Sequence, residues 1–417
     1  MIFTDGKDLK GIKRAQDIKY MRVLRFSLRI ITAWPEREIE GVQSKYHIYK
    51  KCYTFFIELI CLFPGMLYLK NNYNVIPFFD LGHTYITVFM NVIAVCRLVL
   101  IFLQSYADTL AYFVNVIHLF NYRAKTEYAK ETQLLVHKLS HFFTILMKGQ
   151  IIGALLLFNT TPLCNNVLSG GFSGNRSEDF KFDQSVYYAL PFDYERDITG
   201  YIIIFVFNWY ISYICTTIIC ITDLLLSLMS FHVWGHLKIL IHSLENFPRP
   251  LIEVGNNAMY SSQEMETVRQ LLLEYITHHR VIKHFVTKMS DTFGPILFIY
   301  FIFQQVTGCL MLLQCSQMET RALVRYGPMS VMFFQQLAQL YIVFELLGTL
   351  GDALSDAVYS VPWECMNQSQ RKILYIFLKE SQKPIKFKAM GVVNLGVETM
   401  AMIIKTSFSY FIMLRTL

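Results

Sequence analysis

Three stretches of this chain, Gly149 to Asn175, Thr199 to Thr222 and Thr292 to Met318, each run beyond 20 residues without an Asp, Glu, Lys or Arg. A bilayer core about 30 Å thick is crossed by roughly 20 apolar residues of α-helix, so each run reads as a membrane span. Tyr326 to Phe344 is a fourth, shorter run of the same kind. With 54% hydrophobic and 17% charged residues among 417, and 34 Phe and 25 Tyr, composition excludes an ordinary soluble domain. Three further apolar stretches are impure. Cys52 to Leu69 contains Glu58, Leu81 to Ala107 contains Arg97, and Ala389 to Leu414 contains Glu398 and Lys405. Ionisable groups inside spans turn toward protein interior or a water-filled cavity, so the impure spans carry the functional interest.

The expected fold is therefore an all-α membrane protein of seven transmembrane helices, at 52–69, 77–107, 142–163, 199–222, 292–318, 326–350 and 389–414. Lys and Arg set its orientation. Segments on the N-terminal side (1–51, 105–141, 232–290 and 351–388) hold 28 of the 38 basic residues, which places the N-terminus in the cytosol and the C-terminus outside. The loop from Cys164 to Ile198, with six acidic and three basic residues, reads as external. It carries the sequon Asn175-Arg176-Ser177, a candidate glycosylation site. Residues 1–51 are basic and amphipathic, unlike a signal peptide. The net charge of +7 is read as a cytosolic surface facing membrane lipids, with no nucleic-acid partner. Of nine cysteines most lie within spans, where they act as small hydrophobes; Cys164 and Cys315, near outer span ends, are a candidate disulfide.

No repeat or linker divides the chain, so residues 1–417 are read as one domain. Two cytosolic segments, 232–290 and 351–388, are expected to be helical. The fourth span continues through Phe231-His232-Val233-Trp234 to Leu244, and Val268, Leu271, Leu272, Tyr275, Ile276, His279 and Ile282 repeat at helical spacing into the fifth span. Their apolar stripes need partners, which predicts a cytosolic anchor bundle, within or between subunits.

No nucleotide-binding, hydrolase or zinc-protease motif is present, so neither catalysis nor a cofactor is expected. His278, His279 and His284 sit on one helix at spacings that do not converge on a metal, and an amphipathic surface is the plainer reading. In the seventh span, Glu398, Met402, Lys405, Ser409 and Met413 recur every three or four residues and share one face. Two readings stand side by side: a helix packed centrally around a Glu398–Lys405 contact, or a pore lining assembled from several copies. The outer halves of spans two, three, four and six are aromatic with scattered polar groups: His83 and Phe89; Phe158; Phe205, Trp209 and, nearer mid-span, Tyr213; Phe333 and Gln336. Pockets for small apolar molecules are built this way, and so are helix packing and the interfacial aromatic belt.

Several motifs resemble those of insect odorant receptors, especially those of moths and butterflies. They are PFDYERD (191–197), SLMSFHVWGHLKILIHSLENFPRP (227–250), VYSVPW (358–363), SQKP (381–384) and SFSYFIMLR (407–415). The resemblance implies an odorant- or pheromone-binding subunit of a ligand-gated non-selective cation channel, tetrameric with the family's co-receptor (Orco), in the plasma membrane of olfactory neuron dendrites. It implies a small volatile hydrophobic ligand between the outer halves of spans two, three, four and six. It also implies subunits joined through the cytosolic bundle, and a pore at the C-terminal part of the seventh helix with gate positions Met413 and Leu417 beside Thr416. One departure stands out: Phe344-Glu345-Leu346-Leu347-Gly348 occupies the place where the family has a Gly-Asn-Glu element, at the inner end of the sixth helix.

A G-protein-coupled receptor would have an external N-terminus and a proline motif in its seventh span, both at odds with this chain. A transporter would show inverted repeats. The gustatory-type channels share the seven-span plan without the SLENFPRP or SQKP stretches.

Overall fold

The structure is a computed structural model and describes residues 4, 6–42, 45–76, 78–173, 177, 180–250, 259–316, 320–391 and 393–416. Asn175, Leu417 and the side chain of Thr416 lie outside what it describes.

The chain opens with α1 (Lys19–Ile30) and the short α2 (Glu36–Glu40). Six helices long and apolar enough to cross a membrane are α3 (His47–Asn72), α4 (Phe78–Val99), α6 (Glu127–Leu168), α7 (Ile198–Glu245), α8 (Ser262–Ser316) and α9 (Thr320–Tyr359). Between them, α5 (Gln104–Tyr112) follows α4 on the basic side, and α10 (Gln368–Ser381) follows α9. The last helix is α11 (Val397–Thr416), 20 residues with Glu398 and Lys405 inside, and it completes the seven.

Two boundaries differ from the sequence expectation. The second span stops at Phe102, not Ala107. Leu103 is extended (φ −84°, ψ 128°), α5 starts anew at Gln104, and Lys51 Nζ donates to the freed Ile101 carbonyl at 2.7 Å. Hydropathy runs on there because Leu100 and Ile101 are buried in the protein rather than in lipid. The seventh helix starts at Val397, not Ala389, because β1 (Lys388–Ala389) and β2 (Val393–Asn394) form a small antiparallel hairpin turning at Met390 and Gly391, both with positive φ. None of the nine cysteines, all of them described, is in a disulfide; Cys315 Sγ lies 3.5 Å from Ser330 Oγ, and Cys164 is exposed.

Central to the packing is α7, buried along nearly its whole length, with α6 and α9 against it. Below the membrane, α7, α8, α5 and α1 form the anchor. Tyr20, Met21, Leu24 and Leu28 of α1 turn one stripe inward. A chain of neutral histidines knits this region. The Leu119 and Phe120 N–H groups donate to His232 Nδ1 (3.1 Å) and His118 Nδ1 (3.3 Å), so both rings carry their proton on Nε2 and donate it to Tyr20 Oη, at 3.1 and 2.7 Å. His236 Nε2 donates to the Ile117 carbonyl at 2.7 Å, leaving Nδ1 to accept from His278 at 3.0 Å; His278 Nδ1 in turn accepts from Tyr122 at 3.2 Å. The sequence reading grouped His278 with His279 and His284; the fold pairs it instead with α7, and no metal cluster exists among the described residues.

Candidate ligand cavity and pore helix

In the outer half of the membrane region, α4, α6, α7 and α9 diverge around a cavity of about 150 Å³. Four helix faces build its walls. Ile86, Thr87, Met90 and Asn91 come from α4, Gln150, Ala154 and Phe158 from α6, Ile211, Ser212, Cys215, Thr216, Ile219 and Cys220 from α7, and Met329, Met332, Phe333 and Gln336 from α9. Met311 of α8 closes one side. The lining is overwhelmingly apolar, and its four methionines adapt to irregular guests. A dry apolar cavity of roughly 150 Å³ accommodates about one benzene ring.

The helices run alternately up and down, so chain position reports depth at about 1.5 Å per residue. Asn91, Gln150, Cys220 and Gln336 lie at the inner floor, while Ile86, Phe158, Val186 and Met329 lie toward the outside. Polar groups therefore gather at the floor. Beneath it sits a buried ion pair: Arg97 Nη2 lies 2.7 Å from Asp223 Oδ1, both side chains 1% exposed. Arg97 Nη1 donates to the Ile219 carbonyl at 2.5 Å, and its guanidinium stacks 4.2 Å from the Tyr300 ring. Gln336 Nε2 donates to Asp223 Oδ2 at 2.6 Å. In one cluster α4, α7, α8 and α9 are joined. Low dielectric makes a pair of this sort costly to break, and it fits the rule that charges inside spans face protein partners.

The roof comes from the acidic external loop. Phe182, Gln184, Ser185, Val186 and Tyr188 are buried, although nothing in their local composition marks them as such. The segment is held by hydrogen bonds: Ala189 N–H to the Pro64 carbonyl (3.0 Å), Asn208 Nδ2 to the Val186 carbonyl (3.3 Å) and His83 Nε2 to the Ser185 carbonyl (2.6 Å).

Of the eight residues expected at a pocket, Phe158, Phe333 and Gln336 line this cavity. His83 instead ties down the roof, with its ring against Phe158 and Tyr326. Phe89 packs on Tyr85 and Phe303. Phe205 meets Trp209 edge to face and stacks on Tyr201, along another face of α7; Tyr213 packs against the core. The helix register decides this. On α7 the cavity takes Ile211, Ser212, Cys215, Thr216, Ile219 and Cys220, a stripe without aromatic residues, and the large aromatics point elsewhere. Ser212, Cys215, Thr216 and Cys220 were missed because no aromatic marks them; their recurrence at i, i+3, i+4 and i+8 is the one signal that was present.

On α11, Thr399, Ile403 and Ser407 are buried, and Ser407 Oγ donates to the Gln305 carbonyl of α8 at 3.2 Å. Gly308 permits this approach, since a Cβ there would lie 2.7 Å from Ser407 Oγ. Glu398, Met402, Lys405, Ser409 and Met413 are all exposed on the opposite face, with no Glu398–Lys405 ion pair among the described residues. The polar stripe thus turns away from its own subunit. The departure at the inner end of the sixth helix also has a place: α9 continues unbroken, and Glu345 Oε2 accepts from the Val397 N–H at 3.1 Å, capping α11.

The fold thus combines membrane-spanning helices with an apolar cavity in their outer half and an exposed polar stripe on the last helix. Residues 80–408 match the family model described as 7tm odorant receptor, and the chain belongs to that family. Odorant receptor 13a of Drosophila melanogaster is 22% identical over 54% of this chain and 56% of its own length. Odorant receptor 49a of the same species is 22% identical over 57% of each. The chain spans about half the length of the curated relatives it matches. Two solved structures of the insect olfactory receptor OR5 from Machilis hrabei, one of them in complex with eugenol, share the fold. Each has a TM-score of 0.76 and covers 95% of this chain and 97% of theirs, at 14% and 13% identity.

Proposed function

We propose that this chain is the odorant-binding subunit of a heteromeric ligand-gated non-selective cation channel, assembled as a tetramer with the family's co-receptor in the dendritic plasma membrane of olfactory neurons. The observation that carries the reading is that α9 joins cavity to pore helix: Gln336 forms part of the cavity floor, and Glu345, nine residues further along the same helix, caps α11. At 1.5 Å per residue the two are about 14 Å apart on one rigid rod. A ligand that binds better when the floor is displaced favours the α9 position that goes with it, and α11 follows. Several α11 helices around an axis place Glu398, Lys405, Ser409 and Met413 toward water, with Met413 near the outer end as the apolar constriction. The exposed Tyr359, Trp363, Tyr375 and Ile376 on the cytosolic side supply an apolar surface for neighbouring subunits.

Co-expression with the co-receptor in a cell line should give odorant-evoked cation currents, with little current from this chain alone. Robust current without the co-receptor, or none with it across a broad volatile panel, contradicts the heteromeric channel.

A further inference from the structure

The cavity floor contains an acceptor with a fixed orientation. A glutamine amide can ordinarily turn end for end, but Asp223 accepts and cannot donate, so the amide nitrogen of Gln336 must face it, at 2.6 Å. Arg97 holds that carboxylate in place at 2.7 Å, with both charged side chains 1% exposed. The amide oxygen therefore points the other way. Its partner among the described residues is the Cys220 thiol, a weak donor at 3.9 Å. Cys220 and Gln336 both line the cavity. On the same walls, Ser212 Oγ and Gln150 Oε1, in side chains that are 7% and 9% exposed, have no hydrogen-bond partner among the described residues.

Such a floor discriminates by chemistry. An apolar guest that fills the cavity leaves the Gln336 oxygen without a strong donor, which costs the desolvation of a buried acceptor. An ether or aldehyde brings only another acceptor against it. A hydroxyl supplies the missing donor. Because Gln336 lies at the inner floor while Phe158 and Met329 lie toward the outside, the hydroxyl end points toward the cytosolic side.

We propose that the ligands of this cavity are small alcohols or phenols of about one ring, whose hydroxyl donates to Gln336 Oε1, an acceptor aimed by the Asp223–Arg97 pair. This rests on the reading of the cavity as the odorant site and names the class of odorant. Hydrogen-bonding sites reject analogues that lack the bonding group far more strongly than apolar pockets reject a methylene.

The test uses the full chain with its co-receptor and two matched sets of probes: benzyl alcohol, anisole and ethylbenzene; and hexan-1-ol, methyl pentyl ether and heptane. In each set that activates, the alcohol should act at a concentration about tenfold lower than its ether or hydrocarbon. Alcohols no more potent than their partners overturn the hydroxyl assignment and leave the cavity reading standing. Silence to all six probes, with the receptor shown at the cell surface, overturns the cavity reading itself. Gln336→Met keeps the length of the side chain and removes the acceptor, so the alcohol preference should fall to near parity; an undiminished preference overturns Gln336 as the acceptor. Should that variant fail to reach the surface, the wild-type ratios decide the proposal alone.

Discussion

Two buried polar networks sit on the same helix, α7, about two and a half helical turns apart, and they are built on opposite principles. In the membrane, Asp223 and Arg97 form a charged pair whose extension through Gln336 ends at a cavity. In the anchor, Tyr20, His118, His232, His236, His278 and Tyr122 are neutral, and each ring nitrogen has one partner assigned by a backbone group or by its neighbour. The anchor network is closed, so it has one arrangement and serves as the fixed base. The membrane network is open at one end, and the open end is where a ligand adds a bond. Charge aims a receptor group; complete neutral bonding immobilises a scaffold.

Breaking the charged network should have the largest effect. Asp223→Asn or Arg97→Met leaves a buried charge unpaired, at about 3–5 kcal/mol, and should abolish surface expression measured by antibody labelling of intact cells. The double replacement Arg97→Met with Asp223→Leu should recover part of it, because no charge is then left alone.

The neutral network should break with acid. Burial pushes His118 down to about 3 and His236 down to about 4, below the ordinary histidine value of 6.5. The unfolded chain therefore binds protons that the folded chain refuses, so stability is complete above pH 6.5 and is lost as pH falls from there toward 4. At pH 5 each of the two groups removes on the order of 2 kcal/mol. The melting temperature of the detergent-solubilised protein should drop steeply between pH 7 and 5; an unchanged midpoint would refute the neutral assignment.

Next is the link between the regions. Glu345→Ala removes the cap of α11 at about 1 kcal/mol, roughly a fivefold change in a two-state ratio. It should alter ligand-free current in patch recordings while leaving the alcohol preference of the cavity intact. The smallest effect belongs to the exposed Lys283–Glu380 pair (2.8 Å) outside both networks, where Lys283→Ala should leave the melting midpoint unchanged within error.

How far all this was legible varies with the kind of signal. Seven spans, their orientation and the two cytosolic helical segments follow from runs of apolar residues and the bias of Lys and Arg, because lipid forces every backbone group to be satisfied within the helix. The polar stripe of α11 was legible from its spacing alone, and it is the exposed face of that helix. The pocket was legible only in part. Aromatic enrichment pointed to the correct helices, yet Phe205 and Trp209 face away from the cavity while Ser212 and Thr216 face it. Enrichment does not encode rotation. Nor does local composition show that the acidic loop folds inward at 182–188, since its hydrogen bonds come from Pro64, His83 and Asn208 elsewhere in the chain.

By itself, then, the sequence determined what each segment must do against lipid: a span's length and its charge content are local quantities, answered by the solvent around it. Tertiary structure alone decided which residues meet. Arg97 and Asp223, 126 positions apart, were two blemishes in hydropathy until α4 and α7 packed side by side. Gln336 was one polar residue in an aromatic helix until that pair turned its amide. A buried charge has to find its partner across helices, and the orientation of the group beside it follows from that meeting.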